Sequence, residues 1–187
     1  IPIGSTLYTA DSSHEVANNS SAIDISSGKV VVVARDGSNS SYMSCYVGTI
    51  NTSNGSISWG SRYHLTSAAT YYPMIVADPN ATNKFMITYQ SNSEMRVAIL
   101  TVSGTTPSLN SSDVAFGDTN GEYAMIAADP NTTGLFVCVY QEMDSSTRHT
   151  LATAFTYSGS TITVGTEKEI STVEIDTPKY GGVMFDQ

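Results

Sequence analysis

The chain has 187 residues, of which 40% are hydrophobic and only 13% charged, with 8 basic against 17 acidic side chains and a net charge of −9. No apolar run approaches the ~20 residues of a membrane-spanning helix, and no basic stripe is present to displace counterions from a phosphate backbone, so neither membrane insertion nor a nucleic-acid partner is expected. Ser, Thr and Asn number 27, 23 and 11. Together with short recurring apolar runs and 17 aromatics, they describe a folded, polar-surfaced, all-β protein rather than a disordered one.

In chain order, residues 4–10 read as a lone strand. A first unit opens at Ala22-Ile-Asp24, continues through Val31-Val-Val-Ala-Arg35-Asp36 and closes on Ile57-Ser-Trp59-Gly60. The second opens with Tyr72-Pro-Met-Ile-Val-Ala-Asp78-Pro79-Asn80, where Asp and Pro give a turn with a mechanism. Strands follow at about 84–90 and 95–102, and a fourth ends at Ala115-Phe116-Gly117. At an offset of 51, Tyr123-Ala-Met-Ile-Ala-Ala-Asp129-Pro130-Asn131 begins the third unit, and Phe85 to Gln90 returns as Phe136 to Gln141. The third unit closes on Ile162-Thr-Val164-Gly165, and Tyr180-Gly-Gly-Val-Met-Phe-Asp186 starts a fourth copy. In this alignment Trp59, Phe116 and Val164 share one position with a packing role, and Arg35 shares another with Tyr89 and Tyr140.

Four short antiparallel strands in roughly 50 residues, repeated, are expected to form β-propeller-like blades. One repeat-built domain, 1–187, thus holds units at about 18–65, 70–118 and 121–170, with partial strands at 4–10 and 178–187. The alternatives are a β-sandwich and a fibre-forming β-repeat. Three blades are too few for a closed ring of typically four to eight, so the expected partners are other copies of the chain or the remainder of a larger one. Ile1 is not an initiating Met, which fits a processed product or a segment of something longer.

The pattern of apolar strand, Asp-Pro-Asn, apolar strand ending Tyr-Gln or Arg-Asp, a Gly-containing turn and a strand closing on aromatic-Gly resembles propeller-like repeats of bacteria and aquatic phages, in tail-fibre and other virion surface proteins. The resemblance spans about Ala22 to Asp186 and implies surface recognition or structural assembly, at an extracellular or virion surface, rather than catalysis.

Blade geometry places the turns between second and third strands on one edge, with the links between units. These segments differ from unit to unit, and scaffold-held variable loops are where binding residues concentrate. The candidate ligand-binding residues are Arg35, Asp36, Asn39, Tyr63, His64, Tyr71, Gln90, Glu94, Gln141 and Asp144, whose rings and amides suit cell-surface glycans. Tyr72, Tyr123 and Tyr180 are expected to pack between units instead.

A purely structural fibre subunit, joined through terminal strands, is the alternative function. A sialidase-like glycoside hydrolase is third: Ser53-Asn-Gly-Ser-Ile-Ser-Trp59 lacks the Asp of a sialidase-type turn, and Arg35, Arg62, Arg96 and Arg148 fall at different unit positions. His14, His64 and His149 show no zinc spacing, and Asp24, Asp78, Asp129 and Asp186 read as turn formers, so no metal, cofactor or catalytic residue is expected. Cys45 and Cys138 sit in apolar runs as expected free thiols. Eight Asn-X-Ser/Thr triplets, at Asn18, Asn19, Asn39, Asn51, Asn54, Asn80, Asn110 and Asn131, are glycan acceptors only if the chain is exported by a glycosylating host.

Overall fold

The computed structural model describes residues 16–110, 113–144, 147–171 and 184. The terminal strands expected at 4–10 and 178–187 therefore fall outside the described residues, apart from Met184. The chain is all-β, in three antiparallel sheets taken in sequence order. Sheet one holds β1 (Val16–Asp24), β2 (Lys29–Asp36), β3 (Tyr42–Ile50), β4 (Ile57–Trp59) and β5 (Tyr63–Ala69). Sheet two holds β6 (Tyr71–Ala77), β7 (Lys84–Ser91), β8 (Glu94–Ser103), β9 (Thr106–Leu109) and β10 (Val114–Thr119). Sheet three holds β11 (Gly121–Ala128), β12 (Leu135–Asp144), β13 (Thr147–Ser158), β14 (Thr161–Val164) and β15 (Lys168–Ser171).

Each sheet has the same plan: first strand on second, second on third, and a fourth position shared by two short strands. In sheet one both β4 and β5 pair with β3; in sheet two both β9 and β10 pair with β8; in sheet three both β14 and β15 pair with β13. This split corrects the sequence alignment. Ile57–Trp59 and Ile162–Val164 belong to β4 and β14, whose counterpart is β9, whereas Phe116 lies in β10, the counterpart of β5 and β15. Both halves of the outer strand alternate apolar and polar residues near a glycine, so the pattern alone does not separate them. Trp59 nonetheless packs: its ring lies against Gly48, whose missing side chain leaves the room.

A second correction concerns Arg35. The turn from Asp24 to Lys29 is one residue shorter than that from Asp78 to Lys84, so the offset grows to 55 beyond it. Arg35 pairs with Met43 as Gln90 pairs with Met95, which makes Gln90, not Tyr89, its counterpart.

Neighbouring sheets pack face to face. Val31, Val33 and Cys45 meet Phe85, Ile87 and Tyr89 between sheets one and two. Met86, Val97 and Ile99 meet Phe136, Cys138 and Phe155 between sheets two and three. Successive residues of β7 thus enter different cores, because a strand's side chains alternate between faces. Phe116 stands edge-on to Tyr140 and Phe155 at 5.2 and 4.8 Å, an arrangement aromatic quadrupoles favour. Cys45 and Cys138 are free and fully buried, one in each core, and burial pushes the Cys45 thiol up to about 12. Among the described residues no helix is long and apolar enough to cross a membrane.

Candidate functional site

The turns sort onto two edges. At one, Thr70 N–H of the β5–β6 link donates to Ser41 O of the β2–β3 turn at 2.9 Å, and Asn120 N–H of the β10–β11 link donates to Ser93 O of the β7–β8 turn at 2.7 Å. Variable turns and links therefore share an edge. Positive φ recurs at Ser40 and Ser41, at the end of the five-residue β2–β3 turn, and at Asn92 and Ser93; the latter two alone join β7 to β8, as in a two-residue type I′ hairpin.

On this edge the first unit gathers Asp36, Asn39 and His64 with Ser44 and Arg62. Asp36, 2% exposed, accepts from Arg62 Nη1 at 2.8 Å, from Ser38 Oγ at 2.7 Å and from Ser44 Oγ at 3.3 Å. Burial alone would raise its pKa; the bonds from Ser38 and the Arg62 charge outweigh it and hold the carboxyl below the usual range. His64 Nδ1 lies 3.1 Å from Ser44 Oγ, and Nε2 lies 3.1 Å from Asn39 Nδ2. Asp36 contacts the serine, not the imidazole, and Ser44 is 1% exposed. This differs from a nucleophile–base–acid relay, in which the acid orients the base and the nucleophile faces substrate. Beside the cluster, Arg35 bonds Ser41 Oγ at 2.8 Å and lies 4.8 Å from the Tyr71 ring centroid.

A groove of about 460 Å³ runs between sheets one and two, walled by Leu65 to Ala68 of β5 on one side and by Tyr89, Asn92, Arg96, Asn110 and Asp113 on the other. Arg96 bonds Glu94 at 2.7 Å and Asp113 at 3.2 Å. Tyr89 is 3% exposed and donates its hydroxyl to Asp113 at 2.7 Å; burial and that carboxylate push its pKa up, so it remains a donor. One guanidinium, one carboxylate, two amides and the Thr66 and Ser67 hydroxyls thus surround a wall containing Leu65 and Leu109, with Glu94 joined to the lining through Arg96. The one positive and one negative group of the lining balance. A neutral polyhydroxylated ligand suits these groups.

The remaining candidates separate. Tyr63 reaches Thr106 of the next sheet at 3.2 Å, and Gln90 donates to Gly121 O at 2.7 Å; both tie units together. Gln141 is 2% exposed and lies 3.3 Å from Arg148 Nη1. Asp144 ends β12, and its side chain lies outside the described residues. Glu94 alone of the candidates borders the groove, through Arg96. The groove's own Arg96, Asp113, Asn92 and Asn110 were not singled out as ligand groups from the sequence. Their only signal was Arg96 flanked two residues away by Glu94, with Asp113 distant along the chain.

The other edge carries the repeated Asp turns. Asp24, Asp78 and Asp129 accept from the N–H two residues on at 2.9, 2.9 and 2.8 Å, the turn-forming role expected. Two also reach the next unit: Asp24 accepts from Asn83 N–H at 2.6 Å, and Asp78 from Gly134 N–H at 2.8 Å. Asn83 and Gly134 both have positive φ, 59° and 76°, directly before β7 and β12, which aims the N–H at the preceding sheet. Asp78 further accepts from Tyr157 OH at 2.7 Å. Asn80, one of the sequon residues, bonds the Asp129 and Pro130 carbonyls through Nδ2 at 3.2 Å. Among the described residues no group of three or more His, Cys, Asp or Glu could hold a metal ion.

No protein family, no curated protein and no solved structure matches the chain.

Proposed function

We propose that the three sheets are blades of a propeller-like scaffold and that the chain is a non-catalytic recognition module of an extracellular or virion surface, binding neutral glycan in the groove between sheets one and two. The groove carries this reading. It lies between rigid strands, is sized for one or two sugar rings, and offers amides, hydroxyls and paired charges around an apolar wall, the mixture that orients hydroxyls while packing against C–H faces. Non-catalytic action is supported by the arginine contacts: Arg35 bonds Ser41, Arg62 bonds Asp36, Arg96 bonds Glu94 and Asp113, and Arg148 lies against Glu122. None of these contacts joins two arginines into a carboxylate clamp.

A glycan array followed by titration calorimetry on the purified chain, with a parallel assay for released reducing ends, tests the proposal. Stoichiometric binding without turnover is the expected result. Sugar release at catalytic rates, or no binding across neutral glycans, would sink it.

A further inference from the structure

Arg35 is the one arginine that contacts no carboxylate among the described residues. Arg62 meets Asp36, Arg96 meets Glu94 and Asp113, and Arg148 meets Glu122. Arg35 has Ser41 Oγ at 2.8 Å and the Tyr71 ring, 4.8 Å from its guanidinium carbon. Its sequence neighbour Asp36 projects from the opposite face of β2 and is taken by Arg62. The Arg35 Nε is buried without a partner among the described residues, whereas Nη1, which makes no hydrogen bond among them either, is not buried. An orphaned nitrogen on a half-buried cation is a cost that calls for a reason.

The repeat shows that stacking does not require this charge. The counterparts of Arg35 are Gln90 and Gln141, and Gln90 reaches the next unit with a neutral amide, at Gly121 O. Beside Gly121 stands Glu122, the counterpart of Tyr71: Tyr71 pairs with Gln90 as Glu122 pairs with Gln141. One junction thus joins an amide to a unit that carries a carboxylate. The other joins a guanidinium to a unit that carries a tyrosine, so the acid that would complete Arg35 from within the chain is replaced by a ring.

That ring is 36% exposed. Tyr72 backs it at 6.3 Å and lies 4.6 Å from Tyr123, so Tyr72 and Tyr123 pack between units as expected. Ser40, in the adjoining β2–β3 turn, is exposed. The acid facing this group is Glu122, whose field and that of Arg35 act on Tyr72 in opposite directions. Glu122 lies 3.6 Å from Arg148, which offsets its repulsion of an anion.

We propose that Arg35 and Tyr71 form a site for an acidic sugar. Its carboxylate takes the open end of the guanidinium, at Nη1 and Nη2, while its ring and hydroxyls lie against Tyr71 and Ser40. The planar end of a guanidinium matches a carboxylate with two parallel hydrogen bonds. The site is separate from the groove and does not depend on glycan binding there.

Titration of the isotope-labelled full chain with D-glucuronate, followed by nuclear magnetic resonance, tests it. The Arg35 Nε–H and Tyr71 ring signals should shift saturably, with D-glucose and acetate each binding about tenfold or more weakly. Arg35→Gln installs the side chain that the other two units carry, so it should fold as the parent does and lose about tenfold or more in glucuronate affinity. Tyr71→Glu restores the carboxylate of the third unit and should abolish binding by occupying Arg35 from within. Arg35→Gln should leave neutral-glycan affinity in the groove unchanged, which separates failure of this site from failure of the groove. No saturable shift with glucuronate overturns the proposal. So does glucose or acetate binding as tightly, and so does unchanged glucuronate affinity in Arg35→Gln.

Discussion

At the edge carrying the Asp turns, consecutive units solve one problem in one way. Asp24 holds Asn83, and Asp78 holds Gly134, through the same carboxylate-to-backbone bond between sheets. At the opposite edge the arginines follow no such rule: Arg62 pairs with the end of β2, Arg96 with its own strand and the approach to β10, and Arg148 with β11. A repeated contact in a repeat protein is best explained by the stacking that every unit must satisfy. A contact that changes from unit to unit is free of that requirement, and that freedom makes the second edge the place to look for recognition.

Breaking the first edge should cost most. Asp78→Ala removes the acceptor for three described donors and leaves the Gly134 N–H and Tyr157 OH without it, so a loss of about 2–4 kcal/mol is expected. Asp129→Ala, at a half-exposed residue whose carboxylate accepts only from Asn131 N–H among the described bonds, should cost about 1 kcal/mol or less. Urea denaturation of both variants measures the difference; equal losses would show that the link between sheets adds nothing to the turn.

The next effect is pH-dependent and includes both edges. Hydrogen bonds from Ser26, Ser27 and Asn83 N–H hold the Asp24 pKa down against the upward pull of burial, and Asp36 is depressed as described. A carboxyl with a depressed folded pKa contributes stability that is complete above the unfolded value of ~3.9 and fades as pH falls through the folded value. Midpoints should therefore be flat above about pH 5 and drop below about pH 4. Asp36→Asn should shrink the acid drop while lowering stability at neutral pH, because Arg62 loses its charged partner.

Thr88 offers a smaller test, in the opposite direction. It is fully buried between sheets two and three, and its hydroxyl has no hydrogen-bond partner among the described residues, while the same position in sheet three is Val139. Thr88→Val should stabilise by about 1 kcal/mol, since an orphaned buried hydroxyl carries a desolvation cost that an isosteric methyl does not. A thermal melt that shifts downward would mean the hydroxyl is satisfied in solution.

These contrasts also explain what was legible in the sequence. The apolar runs and Asp-Pro-Asn turns declared the strands and the repeat, since strand alternation and turn chemistry are local. The split outer strand was hidden because Ala115-Phe116-Gly117 and Ile57-Ser-Trp59-Gly60 look alike while pairing at different ends of the third strand. Asp24 could be read as a turn former, but its bond to Asn83, 59 residues away, depends on how the sheets stack. The groove was hidden for the same reason: Arg96 and Asp113 are 17 residues apart, and Leu65 to Ala68 belong to another unit.

The smallest stability effect should come with the largest functional one. Arg96 and Arg148 are both partly exposed, at 25% and 30%, and both contact carboxylates; pairs of this kind contribute about 0–1 kcal/mol, so Arg96→Gln and Arg148→Gln should melt close to the parent chain. Only Arg96 lines the groove. Its loss removes a donor from the ligand and frees Glu94 and Asp113 to repel each other, so glycan affinity should fall about tenfold or more, equivalent to about 1.4 kcal/mol, while Arg148→Gln binds as before. Titration of both variants with the same glycan decides the matter. Unchanged affinity in both variants would move recognition away from the groove, and a loss confined to Arg148→Gln would point to Gln141 and the third unit instead.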